Sequence, residues 1–115
     1  MPTAKDYTTE LFALMEKRDS LVPEFARRKA LHDKSKELRT IKISVLMSAD
    51  SESRSNAEKE MRAYASKDYR DYINTLFRED VEFYKVDATI DGIDQRIDVL
   101  RTLISFEKTM INLTQ

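Results

Sequence analysis

With 115 residues the chain is one domain at most, and a single glycine, two prolines and 36% charged side chains describe a helical protein with few tight turns. No run of eighteen apolar residues occurs, and the N-terminus has neither the basic start nor the apolar core of a signal peptide, so the expectation is a soluble, cytoplasmic protein without a membrane partner. The lack of cysteine excludes disulfides and thiolate metal sites, while a net charge of −1 leaves the question of nucleic acid to the distribution of charge.

From Lys5 to Asp19 the apolar Leu11, Phe12, Leu14 and Met15 gather on roughly one side of a helical segment, opposite Glu16, Lys17 and Arg18, which predicts a first helix. Pro23 lacks a backbone donor and clashes one turn back, so a break is expected at Ser20 to Pro23. Phe25, Leu31, Leu38, Ile41 and Val45 then predict a second helix from Glu24 to about Met47. The small polar stretch from Ser48 to Asn56 reads as the main turn, and a short helix follows from about Ala57 to Tyr64. Ser66 is placed to cap a long helix that runs to Leu113, with Asp68 and Asp71 in its first turn.

That last helix carries the plainest signal in the chain. Tyr69, Leu76, Phe83, Ile90, Ile97, Ile104 and Ile111 recur every seven residues, with Val86, Ile93 and Leu100 among the positions three residues on, which is the a/d seam of a helix that packs along a partner. Gly92 is its one helix-weakening residue and a possible bend. The two arms are of similar length, so the expected fold is all-α: a long antiparallel helical hairpin, coiled-coil-like, with a short extra helix near the turn, in a single domain spanning 1–115. A register in which facing residue numbers sum to about 114 sets Phe25 near Ile90, Leu31 beside Phe83, Leu38 against Leu76 and Val45 against Tyr69. It also sets Lys34 beside Asp80 and Lys17 near Asp98.

Seven cations lie within the sixteen residues from Arg27 to Lys42, which hold only two acids, whereas the C-terminal arm is net acidic. Such a run either pairs with the facing helix or contacts phosphates. Arg28, Lys29, Lys36, Arg39 and Lys42 have no obvious partner in the expected register and are the better phosphate contacts. Near the turn, Arg62, Tyr64 and Lys67 interleave basic and aromatic side chains as single-strand binding requires, although Tyr69 and Tyr72 lie on the seam and read as core. The lone His32 reads as a surface helix residue, since it has no second imidazole or nucleophile nearby. Asp87, Asp91, Asp94 and Asp98 read as a solvated or paired face, so no metal and no cofactor is expected. Val99, Leu103, Phe106 and Met110 form a second apolar stripe beside Ile97, Leu100, Ile104 and Ile111. One partner helix cannot cover both, so these eight residues are the expected interface of a homo-oligomer.

The run from Thr75 to Ile104, with "KVDAT" at Lys85 to Thr89 and the following "RIDVLRTLIS", resembles the small helical recombination mediators of tailed phages, the UvsY type. That resemblance implies a non-enzymatic homo-oligomer that binds single-stranded DNA, displaces single-strand binding protein and helps load a RecA-like recombinase, in the host cytoplasm if phage-encoded. The alternative is a helical phage structural or regulatory adaptor that binds only protein.

Overall fold

In the structure, a computed structural model, residues 1–114 are described; Gln115, the last residue of the expected domain, lies outside the described residues. The chain forms four α-helices, α1 (Ala4–Asp33), α2 (Ser35–Ala49), α3 (Asn56–Ala65) and α4 (Lys67–Thr114), with no strand among the described residues. The fold is all-α, as expected, with α3 as the short extra helix by the turn and with α1 and α4 packed against each other as a hairpin within the first of its two units. It divides into two compact units, one built from Met1–Ala26 with the chain from Tyr84 onward, the other from Arg27–Phe83.

In the first unit α1 and α4 run antiparallel. Thr3 and Asp6 start α1 with a reciprocal cap: the Asp6 carboxylate accepts from the Thr3 N–H at 2.8 Å, and the Thr3 hydroxyl accepts from the Asp6 N–H at 3.4 Å. The heptad seam of α4 is the core, with Val86, Ile90, Ile93, Ile97 and Leu100 all buried and Leu100 completely so. Leu11, Leu14, Leu21 and Phe25 of α1 are only half-buried, because a single helix laid on a seam is itself covered from one side alone. Phe12 and Met15, expected on the same side as Leu11 and Leu14, are instead exposed at 62% and 37%. Leu11, Phe12, Leu14 and Met15 together span about 160° around the helix, too wide an arc for one contact stripe.

Two forked ion pairs fix the setting of these helices. Arg18 Nη2 donates to Asp94 Oδ2 at 3.4 Å, with Nε on Oδ1, and Arg96 donates to both oxygens of Glu10 at 2.8 and 3.0 Å. The hydrogen bonds from Arg96 hold the Glu10 carboxyl below the usual carboxylate range. Asp94 thus meets Arg18, not the expected pairing of Lys17 with Asp98. Glu10 faces Arg96, and Ala4 lies six residues, about 9 Å, further along. The cover that α1 supplies therefore ends near residue 102, and burial fades along α4 beyond Leu100.

The expected break at Pro23 does not occur: α1 runs through it. Pro23 and Asp19 are both exposed, so water can serve the Asp19 carbonyl that proline cannot reach. The interruption falls at Lys34, whose φ of −94° and ψ of 1° lie in the bridge region, without a side-chain cap. Backbone bonds from Lys34 N to Ala30 O and from Leu38 N to Lys34 O carry the chain across it at 3.2 and 2.9 Å.

Gly92 marks neither a positive φ nor a close approach, for a Cβ built there meets nothing within 4 Å. With open space and a helical backbone, Gly92→Ala is expected to stabilise the protein by about 0.5–1 kcal/mol through lower chain entropy in the unfolded state. Urea unfolding should show a higher midpoint at unchanged slope; a lowered midpoint would contradict this account.

Candidate nucleic-acid interface

All the predicted phosphate and base contacts fall in the second unit, which places α2, α3, the end of α1 and the start of α4 together. Its core is small: Ile43 of α2, Ala63 of α3, and Leu76 and Phe83 of α4. Val45, expected against Tyr69, is 57% exposed and lies off the seam. The turn between α2 and α3 is held by Asp50, whose carboxylate accepts from the backbone N–H of Glu52 and Ser53 at 3.0 Å each and from the Ser53 hydroxyl. These bonds, the Ser53 hydroxyl foremost, hold the Asp50 carboxyl below its ordinary range. Ser55 caps α3 by accepting from Glu58 N at 3.2 Å, and Ser66 caps α4 as expected by accepting from Tyr69 N at 3.1 Å.

Of the predicted cations, three are met by carboxylates. Arg28 donates to Glu79 at 3.0 Å, Lys29 pairs with Asp33 one turn on at 2.8 Å, and Arg62 lies 3.4 Å from Glu52 and 3.7 Å from Glu58. The expectation that Arg28 and Lys29 lack partners is therefore corrected: Arg28 reaches Glu79 on α4, seven residues from the position that the expected register sets opposite it, and Lys29 is satisfied within its own helix. The Lys29 hydrogen bond in turn lowers the Asp33 carboxyl. Lys42 sits over the Tyr72 ring at 5.4 Å, a cation–π contact on the wall of the unit.

Lys36, Arg39 and Lys67 are exposed and meet no carboxylate within 4.0 Å among the described residues. Lys34 joins them, because the Asp80 assigned to it is taken by His32, whose Nδ1 lies 2.9 Å from Asp80 Oδ1. His32 is half-buried, with its ring stacked on Phe83 at 4.7 Å and 14°, so it is a packed residue of the unit and not the surface residue expected. Tyr64 is 53% exposed and meets Tyr69 edge-on at 5.3 Å, which leaves much of its ring open while fixing its direction. Tyr69 and Tyr72 are half-buried, in keeping with their seam positions.

The eight residues of the expected oligomer interface separate in the first unit. Ile97 and Leu100 are buried within the single chain and serve as its core. Leu103 and Ile104 are half-buried, and Val99, Phe106, Met110 and Ile111 are exposed at 47%, 63%, 45% and 45%. Leu113, which the sequence reading left out, is 76% exposed and extends the outer stripe in step. Among the described residues no group of three or more metal-ligand side chains comes together, and no helix is long and apolar enough to cross a membrane. No family model, curated protein or solved structure matches the chain.

Proposed function

We propose that the chain is a non-enzymatic protein that binds single-stranded DNA along its second unit and acts as a recombination mediator of the phage type. In that role it would form a homo-oligomer, displace single-strand binding protein and help load a RecA-like recombinase in the cytoplasm. The observation that supports this reading is the set of exposed cations, Lys34, Lys36, Arg39 and Lys67, that meet no carboxylate among the described residues. Cations without internal partners condense on a polyanion at little desolvation cost, and the phosphates release bound counterions as they do so. Fluorescence anisotropy with a labelled oligo-dT at a series of salt concentrations tests it. Binding that weakens linearly in log–log form as salt rises supports the reading, and no binding at low salt overturns it.

A second reading, a helical adaptor that binds only protein, is favoured by the exposed Val99, Phe106, Met110 and Leu113 of α4. The same titration separates the two, since an adaptor gives no salt-dependent change of anisotropy.

A further inference from the structure

The outer face of α4 in the second unit, turned away from the seam, has a composition of its own. Taking Tyr69, Leu76 and Phe83 as one seam position, the residues on the far side of the helix are Lys67, Arg70, Asp71, Asn74, Phe77, Arg78 and Val81. Three are cations and one is an acid. Phe77 is 67% exposed, the greatest exposure of any aromatic side chain in this unit, and it stands out from a helix whose seam is well supplied with apolar residues. Asn74 and Val81 flank it at i−3 and i+4, Arg78 is adjacent, and Arg70 lies two turns back, about 10.5 Å along the axis. Lys67, Arg70 and Arg78 are all exposed, and none meets a carboxylate within 4.0 Å among the described residues.

An exposed phenyl ring between unpaired cations suits a polymer that carries both negative charge and flat apolar faces. We infer that Phe77 is a base-stacking platform for single-stranded DNA, with Arg70 and Arg78 holding the phosphates on either side of the stacked base. This inference rests on the reading of the chain as a binder of single-stranded DNA and adds to it a site on the outer face of α4, where the sequence pointed to cations between Arg28 and Lys42 and to Arg62, Tyr64 and Lys67. Charge favours this occupant over a protein: a polyanion satisfies the three cations at once, whereas an apolar protein surface would bury them unpaired. Stacking is indifferent to sequence, because every base has a π-face, so the platform would grip any strand.

The test compares the full chain with Phe77→Ala, Phe77→Leu and Phe77→Trp, using anisotropy with a labelled oligo-dT and with an abasic sugar–phosphate oligomer of equal length. Circular dichroism confirms that helicity is kept, which is expected for so exposed a position. Alanine and leucine should each weaken oligo-dT binding by about 5- to 150-fold, tryptophan should preserve it, and binding of the abasic oligomer should not change in any variant. The leucine variant keeps apolar area without a π-face and so distinguishes stacking from burial. If the wild type binds oligo-dT and Phe77→Ala binds it equally well, the platform is overturned while the proposed function stands. If the alanine variant loses both oligomers alike, or changes particle size instead, Phe77 acts through structure or through a protein contact and the stacking role is overturned. A wild-type chain that binds neither oligomer overturns the proposed function and the platform together.

Discussion

Replacing Lys36, Arg39 and Lys67 together with alanine is expected to weaken single-stranded DNA binding for every sequence and to make its dependence on salt shallower by about 2 in log–log slope. Each phosphate contact on a single strand contributes about 0.7 to that slope through counterion release, and three such contacts would be removed. These three side chains are exposed and meet no carboxylate among the described residues, so their charge is available to a ligand. Arg28, Lys29 and Arg62 provide the contrast. Their charge is already opposed by Glu79, Asp33, and the pair Glu52 and Glu58, so alanine at those three positions should change the slope less. Anisotropy at several salt concentrations reads both triples. An unchanged slope in the first triple would move the phosphate contacts off these residues.

The parts of the fold that repetition determines were legible from residue types alone. A seven-residue apolar repeat has one physical use in a helix, and Leu76, Phe83, Val86, Ile90, Ile93, Ile97 and Leu100 are buried as the repeat requires. The cap by Ser66 was legible for a similar reason, since a hydroxyl before a helical pattern satisfies an otherwise unmet amide. Where the reading failed, a single residue's direction decided the outcome. Pro23 looked like a breaker, but its exposed position leaves the lost bond to water, while Lys34, which carries no breaking signal, takes the bridge conformation.

Ion pairing failed in the same way. Spacing gave Asp80 to Lys34 and Asp98 to Lys17, but the rotational setting of the helices brings His32 to Asp80 and Arg18 to Asp94. A shift of two positions in a register is invisible to a period, yet it decides which cations stay unpaired and therefore which can bind a ligand. The apolar repeat says nothing of outward positions such as Phe77. The signal for Phe77 was an aromatic residue at an outward heptad position between Arg70 and Arg78.

The largest expected effect concerns the end of α4 and the proposed assembly. Val99, Leu103, Phe106, Met110 and Leu113 step by four, three, four and three residues, which is a second a/d seam rotated away from the first and beginning where the cover from α1 gives out. Four of these five are exposed, at 47%, 63%, 45% and 76%, and Leu103 is half-buried. Full burial of such a side chain from full exposure gains roughly 1.5–3 kcal/mol, so Leu103 and Phe106, of which only the exposed part remains to be covered, would together contribute about 1.5–3 kcal/mol per chain to a helix-on-helix contact with a second copy. Changing both to Glu removes that gain and sets carboxylates in an apolar seam, where they would have to be desolvated. The double variant should therefore keep its helicity, since neither residue belongs to the buried core, and should associate at least about 100-fold more weakly in sedimentation. Single-strand binding should fall with it, because several weak phosphate-contacting units on one strand bind tightly only while they are linked. A wild-type chain that sediments as a monomer at micromolar concentration would remove the assembly. A double variant that assembles as the wild type does would show that the second seam is not the contact.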